Sequence, residues 1–209
     1  MGRELVGGKG FLQGVRHEVL SVMGKAILFS APSGCGKTTI INELMKYFDC
    51  FDFSISATSR APRATEQDGK DYYFLTHEEF KRRVDAGDFL EWEEVYQGTC
   101  YGTLKSEIER IWAAGRVIVF DVDVNGGSNI KRYFGGDALS VFVMPPSLEV
   151  LEQRLRSRGT DSEEAIVKRL ARSAEELKRA PQFDVTIVND DLGRAVDEAR
   201  RVIERFLDE

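Results

Sequence analysis

The sequence predicts an α/β fold in which a parallel sheet carries helices on both faces. Short, continuously apolar runs of strand length alternate along the chain with longer segments of helical period. Parallel strands that are buried on both faces have this composition, and they need crossover helices between them. A glycine-rich turn directly after the first strand supports the same assignment.

The elements can be assigned in order along the chain. The predicted core strands are the apolar runs at 26–30, 117–120, 138–143 and 185–188. The predicted helices are the amphipathic stretches at 38–47, 105–114, 148–158, 162–179 and 192–207. Glycines interrupt every pattern in residues 1–22, so we expect a flexible N-terminal extension there and a folded unit that begins at Met23.

The region between residues 53 and 103 differs from the rest of the chain. Residues 71–75 and 89–96 mix apolar and polar side chains, as half-exposed antiparallel strands do. Thr76 is a typical helix start, because acidic residues follow it in what would be the first turn. This region is expected to form a small insert attached to the main sheet.

Composition excludes several classes of protein. The chain has 209 residues, of which 42% are hydrophobic, and this excludes wholesale disorder. No apolar run approaches the roughly 18 residues that span a bilayer, and the first residues lack a signal-peptide pattern. The three cysteines are widely separated and give neither a disulfide framework nor metal-ligand spacing. With 29 Lys and Arg against 35 Asp and Glu, the net charge of −6 argues against a nucleic-acid partner. We expect a cytoplasmic protein with no membrane partner.

The strongest chemical signal is APSGCGKT at residues 31–38. It matches the phosphate-binding pattern G-x-x-x-x-G-K-[ST] at every fixed position except the first, where Ala31 stands. The glycines allow backbone N–H groups to surround a polyphosphate, and the following helix adds its positive dipole end. Lys37 supplies a charge to the β- and γ-phosphates, and the Thr38 hydroxyl can bind Mg²⁺. The alternative is a turn that only caps a helix, but the strand before it and the helix after it favour phosphate binding.

Further motifs follow in an order that resembles the guanylate kinases, and the resemblance extends from Ala26 to the C-terminus. The motifs beyond the phosphate-binding loop are SATSRAPR at 56–63, GKDY at 69–72, FLEW at 89–92, YGT at 101–103, DVDVNG at 121–126, RLRSRGT at 154–160 and VNDD at 188–191. The resemblance implies a P-loop nucleoside monophosphate kinase fold with a parallel-sheet core, a small mixed α/β insert that binds GMP, and a helical lid. It assigns 23–55, 104–150 and 181–209 to the core, 56–103 to the insert, and 151–180 to the lid and its flanking helices.

The resemblance implies transfer of the γ-phosphoryl group of ATP, bound with Mg²⁺, to GMP and to dGMP. Its ATP-binding residues would be Ala31, Pro32, Ser33, Gly34, Cys35, Gly36, Lys37, Thr38, Thr39 and Asn189. Thr38 and Asp121 would hold the metal, and Lys37 would act in catalysis with the lid residues Arg154, Arg158 and Arg169. The GMP-binding residues would be Ser56, Arg60, Arg63, Tyr72, Glu91, Tyr101, Thr103 and Asp123.

The residues themselves leave alternatives open at several of these positions. Two guanidiniums across Pro62 suit a bidentate grip on a monophosphate, but an exposed loop paired with Glu66 or Asp68 fits them equally. A glutamate at position 91 can accept the N1–H and amino hydrogens of guanine together, whereas adenine cannot satisfy it. The remaining positions also have ordinary structural alternatives. These are solvated strand residues, a helix-capping aspartate, paired surface arginines and a strand-end asparagine.

Two other functions are weighed against the kinase. One is a catalytically inactive guanylate-kinase-like interaction domain, and the other is a kinase for a different nucleoside monophosphate. The intact loop residues, Arg154 and Arg158 argue against the first, and Glu91 beside YGT argues against the second. The sequence does not decide between a monomer and a homo-oligomer.

Overall fold

The computed structural model describes residues 24–96, 98–157 and 162–209; the predicted extension at 1–22 lies outside these ranges. The strands and helices in chain order are β1 Ala26–Ser30, α1 Lys37–Tyr47, β2 Phe51–Phe53, β3 Ala57–Thr58, β4 Tyr73–Phe74, α2 His77–Asp85, β5 Phe89–Tyr96, β6 Thr99–Leu104, α3 Lys105–Ala113, β7 Val117–Asp121, α4 Val124–Phe134, β8 Ala138–Met144, α5 Leu148–Ser157, α6 Glu163–Leu177, β9 Val185–Val188 and α7 Leu192–Asp208. Two short 3₁₀ turns lie at Gly135–Asp137 and Ala180–Gln182.

The main sheet has five parallel strands in the order β2-β7-β1-β8-β9. Every residue of the central strand β1 is buried. Ile27 and Phe29 pack on one face with apolar residues of α1, α5 and α7. Ala26 and Leu28 pack on the other face with residues of α3 and α4. The predicted α/β fold with helices on both faces of a parallel sheet is therefore confirmed.

The carboxyl ends of the parallel strands meet at one edge of this sheet. β1 ends at Ser30 immediately before the glycine-rich loop, β7 ends at Asp121, and β9 ends just before Asn189. Open parallel sheets place ligands at this edge, because the loops and helix N-termini that follow the strands converge there. The order of the strands thus brings distant parts of the sequence to one place.

The second sheet has four strands in the order β4-β3-β6-β5. β5 and β6 form an antiparallel hairpin, and β3 pairs antiparallel with β6. The antiparallel strand predicted at 71–75 is wrong in length and direction, because β4 spans only Tyr73–Phe74 and pairs parallel with β3. Successive turns occupy the chain before it, and the Asp68 carboxylate accepts from the Phe74 N–H at 2.9 Å. These turns return the chain to the beginning of β3.

Helix α2 begins as the sequence predicts. The Thr76 hydroxyl accepts from the backbone N–H of Glu79 at 3.1 Å and caps the first turn. The helix buries Phe80 against Phe89 of the hairpin, with the ring centroids 4.4 Å apart. This contact fixes α2 on the second sheet. In the described part of the chain, no helix has the length and apolar character needed to cross a membrane.

Candidate active site

A cavity of about 500 Å³ opens at the carboxyl edge of the parallel sheet, between that sheet, the hairpin and α6. Its walls combine the loop at 31–39, the residues that follow β7, the inner face of the second sheet and one face of α6. The predicted site residues that line it outside the loop are Ser56, Tyr72, Glu91, Tyr101, Asp121, Asp123 and Arg169. Residues predicted for ATP, for GMP and for the lid therefore share one cavity.

The loop at 31–39 turns sharply into α1. Gly36 has a φ of +86°, and α1 begins at the next residue without a side-chain cap. Because no side chain caps this helix, the N–H groups of its first turn can donate to an anion. Cys35 is fully buried, and burial raises the pKa of its thiol to about 12, so the thiol remains protonated and fills space.

Asn189 lies behind this loop and supports it. Only 6% of Asn189 is exposed, and its side-chain amide donates to the Cys35 carbonyl at 2.7 Å. A Cβ atom on Gly36 would lie 2.3 Å from the same amide nitrogen. Arg154 of α5 in turn donates to the Asn189 carbonyl at 2.8 Å. These contacts give both residues a role in holding the loop, and their direct contact with a nucleotide stays a prediction.

Lys37, Thr38 and Asp121 lie together where the loop meets β7. The Lys37 ammonium is 2.5 Å from one Asp121 oxygen and donates to the Val122 carbonyl at 2.8 Å. The Thr38 hydroxyl donates to the other Asp121 oxygen at 3.3 Å. A hydroxyl beside a carboxylate suits Mg²⁺, which takes few protein ligands and completes its shell with water and phosphate oxygens. Within the described ranges, no group of three or more His, Cys, Asp and Glu could hold a metal on its own.

The two arginines after β3 occupy different environments. Arg60 binds both oxygens of Glu66 at 2.6 and 2.7 Å and donates to the Tyr101 hydroxyl at 3.1 Å. Its guanidinium lies over the ring of Tyr72, 5.1 Å from the centroid. Arg63 is 76% exposed and reaches Glu66 only at 3.9 Å. The sequence leaves a pairing with Glu66 open, and Arg60 makes this pairing. The same guanidinium also donates to the Tyr101 hydroxyl.

Carboxylates gather at the other side of the hairpin. The Thr103 hydroxyl is buried and donates to Glu91 at 2.8 Å. Burial raises the pKa of Glu91, and the Thr103 hydrogen bond partly opposes this shift. Asp123 accepts from the Gly126 N–H at 2.8 Å and caps α4, while also lining the cavity. The Glu91 carboxylate, oriented by Thr103, can accept two adjacent N–H donors of a ligand.

Known proteins similar in sequence to this chain belong to one family, and the similarity covers most of the chain. The sequence matches the guanylate kinase family over residues 23–206. It is 53% identical over 192 residues to the guanylate kinase of Bacteroides thetaiotaomicron, which covers 92% of this chain and 94% of that protein. The guanylate kinase of Porphyromonas gingivalis is 50% identical over 186 residues, covering 88% and 99%. This chain belongs to the guanylate kinase family.

Solved structures agree with this assignment. The crystal structure of guanylate kinase from Anaplasma phagocytophilum superposes with a TM-score of 0.69 at 29% sequence identity, and it covers 88% of this chain and 86% of its own. The similarity thus extends over most of the chain.

The lid residues predicted from the guanylate kinase motifs fall in three places. Arg169 lines the cavity from α6, and Arg154 contacts the end of β9 as described above. Arg158 lies outside the described residues, between α5 and α6. Neighbouring Arg156 pairs with Glu163 at 2.5 Å and with Glu152 at 2.8 Å, as an ordinary surface arginine does.

The sequence reasoning missed four cavity residues with polar or charged side chains: Glu93, Arg172, Ser173 and Glu176. Glu93 is two residues after Glu91, so both face the cavity from the same side of β5. Burial raises the pKa of Glu93, which accepts from Asn125 at 2.9 Å. The other three follow Arg169 at helical spacing on one face of α6. These spacings could have indicated the four residues from the sequence. They do so only when it is known which face of β5 and which face of α6 line the cavity.

Proposed function

We propose that this chain transfers the γ-phosphoryl group of ATP to GMP, giving ADP and GDP. The observation that carries the proposal is one cavity with a phosphate-binding loop on one wall and a half-buried, oriented glutamate on another. The loop supplies a phosphate site, and the glutamate supplies a site for paired N–H donors. The family of the chain agrees with both.

The ATP phosphates are proposed to lie in the loop at 31–39. The N–H groups of the first turn of α1 surround the phosphates, and the Lys37 ammonium shifts from Asp121 to the β- and γ-phosphates. Asn189 and Arg154 keep the loop in shape from behind. Thr38 and Asp121 would hold Mg²⁺, which supplies charge neutralisation at the phosphates when it is bound.

The acceptor is proposed to lie along the hairpin. Glu91, held by Thr103, accepts the N1–H and amino hydrogens of guanine, with Ser56 and Asp123 beside the base. Adenine presents an acceptor at N1, so it would leave the half-buried Glu91 carboxylate without the paired N–H donors that guanine offers. Arg60, Arg63, Tyr72 and Tyr101 take the 5′-phosphate. These contacts are to base and phosphate, and we therefore include dGMP among the acceptors.

Phosphoryl transfer needs positioning and charge compensation more than it needs a strong base. Arg169 and Arg172 face the cavity from α6 and can approach the transferring group. We propose that residues 151–180 and 56–103 close over the core during turnover. Such closure excludes water, which would otherwise act as the acceptor.

Release of ADP, followed with GMP, dGMP, AMP and UMP, tests the function. We expect turnover with GMP and dGMP, and values of kcat/KM at least about 10²-fold lower with AMP and UMP. Equal rates with AMP and GMP would contradict base reading by Glu91. An absence of GMP-dependent ADP release would favour the inactive interaction domain instead. We also propose that the protein acts in the cytoplasm with these nucleotides as its partners, and not with nucleic acid or membranes.

A further inference from the structure

The Arg60 guanidinium is engaged on several sides by neighbouring groups. Its Nε donates to the Tyr101 hydroxyl at 3.1 Å, and its Nη1 donates to the Ala61 carbonyl at 3.0 Å. Nη1 and Nη2 both donate to Glu66, at 2.6 and 2.7 Å. A guanidinium has five N–H donors, so these bonds among the described residues use four and leave one on Nη2.

Glu66 joins this side chain to the backbone of the second arginine. Its carboxylate also accepts from the Arg63 backbone N–H at 2.8 Å, and its own N–H donates to the Arg63 carbonyl at 3.0 Å. The side chains of Arg60 and Glu66 are only 17% and 14% exposed. The hydrogen bonds from Arg60 and from the Arg63 backbone lower the pKa of Glu66 to about 2, so it is ionised at neutral pH. Glu66 therefore fixes the side chain of Arg60 and the backbone of Arg63 in one turn.

The same arrangement orients the Tyr101 hydroxyl. Because its oxygen accepts from Arg60, its proton must point elsewhere and is available to donate. Tyr101 and Tyr72 both line the cavity and meet edge-on, with their ring centroids 5.9 Å apart. Their hydroxyls, the exposed head of Arg63 and the remaining Nη2–H of Arg60 are donors that a phosphate can use while Glu66 stays in place.

We propose that Glu66 is a positioning residue for the phosphate of the acceptor nucleotide. It stays bound to Arg60 through turnover and keeps Arg60, Arg63 and the Tyr101 hydroxyl in their phosphate-binding arrangement. The opposite role would be that of a competitor, a carboxylate that the phosphate must displace from Arg60. Displacement would break three charge-assisted hydrogen bonds, and the donors named above make it unnecessary. This inference rests on the proposed function.

The test compares the variants Glu66→Gln and Glu79→Gln. Glu79 is a matched control, because it binds Arg82 and Arg83 at 2.8 Å on α2 and its pKa is likewise lowered to about 2 by these bonds. Calorimetric titration with GMP and with guanosine, which lacks the phosphate, separates the phosphate contribution from that of the base. Steady-state kinetics give KM for GMP and for ATP in the same proteins.

We expect Glu66→Gln to weaken GMP binding and raise its KM by at least about tenfold. Guanosine binding and the KM for ATP should change by less than about twofold, and Glu79→Gln should behave as wild type in every assay. Tighter GMP binding would identify Glu66 as a competitor, and unchanged binding would remove it from the site. An equal loss for GMP and guanosine would indicate general damage to the fold. Each of these three results overturns the proposal.

A second variant covers failure of Glu66→Gln to fold. Glu66→Asp keeps the charge on a side chain one methylene shorter, and it should weaken GMP binding by at least about threefold while sparing guanosine. Loss of guanosine binding along with GMP, or no loss of GMP binding, would again overturn the role of Glu66. Wild-type turnover of GMP is measured alongside. Its absence would contradict the proposed kinase activity, while the binding titrations would still decide the role of Glu66.

Discussion

Replacing Gly36 with alanine should damage the proposed ATP site, and it should destabilise the chain more than alanine does at a glycine with open space around it. Gly36 has a φ of +86°, in the left-handed region where a residue with a Cβ is strained by about 1–2 kcal/mol. The added Cβ would also lie 2.3 Å from the Asn189 amide nitrogen, which cannot remain where it is. The contact between the amide and the Cys35 carbonyl at 2.7 Å would then be lost. A buried carbonyl without its donor costs a further roughly 1–3 kcal/mol.

The sum is a loss of about 2–5 kcal/mol in the free energy of unfolding. Each kcal/mol lowers the melting temperature of a chain of this size by about 2–4 °C. ATP binding should weaken by at least about tenfold, because the N–H groups of the loop no longer converge on the phosphates. Thermal and chemical denaturation measure the first effect, and calorimetric titration with ATP measures the second.

The matched control is Gly87→Ala. Gly87 also has a positive φ, +73°, but no atom lies within 4 Å of the Cβ that alanine would add. This variant should lose only the strain contribution, about 1–2 kcal/mol, and keep its affinity for ATP. If Gly36→Ala lowers the free energy of unfolding no more than Gly87→Ala does, the added Cβ does not clash with Asn189. In an Asn189→Ala background the cost of Gly36→Ala should fall to the strain contribution, and an unchanged cost would refute the contact with Asn189.

Three further predictions concern the charged groups of the cavity. Lys37→Ala should lower kcat by about 10²- to 10³-fold without unfolding the chain, and near-normal turnover would remove Lys37 from the mechanism. Glu91→Gln should raise the KM for GMP about 10- to 100-fold while the KM for ATP is preserved; equal damage to both would contradict base reading. Thr103→Val removes the hydrogen bond that opposes the burial-raised pKa of Glu91, so the acidic limb of the pH profile of kcat/KM for GMP should move to higher pH. An unmoved limb would show that Glu91 ionisation does not control GMP use.

The parallel core could be predicted because its signals are local. Each core strand is a short apolar run, and the observed bounds of β1 match the predicted ones. Helix α4 could not be predicted, since VNGGSNIKRYF contains two glycines and few good helix formers. It forms because Asp123 caps its first turn and because Ile130 and Phe134 are buried against the sheet. Tertiary packing therefore overrides local preference there.

The sequence predicts many of the residues that belong to the candidate site, but it does not predict which of them contact one another. Asn189 was assigned to the nucleotide, yet nothing local indicates that the end of β9 meets Cys35, which precedes it by most of the chain. Sequence patterns indicate which chemical groups the chain carries, but not which of them lie together. Only the order β1-β8-β9 in the sheet places this asparagine behind the loop.

One strand, β6, holds residues at both ends of the proposed acceptor site. Tyr101 is bound to Arg60 at the proposed phosphate end, and Thr103 is bound to Glu91 at the proposed base end. Residues two apart on a strand face the same way and are separated by about 6.6–6.8 Å. A nucleoside monophosphate has its ribose between base and phosphate, so this spacing suits a single nucleotide laid along the strand.

The residue between these two explains why the spacing is fixed. A Cβ on Gly102 would lie 2.7 Å from the Glu91 carbonyl and 2.8 Å from Trp92, so glycine allows β5 to approach β6 closely there. This approach sets Glu91 directly opposite Thr103 in the hairpin. A slip of one residue would turn Thr103 away from Glu91 and Tyr101 away from the cavity together. If the acceptor lies as proposed, recognition of the base and of the phosphate is coupled through the pairing of one hairpin, and a change that loosens β5 against β6 should weaken both.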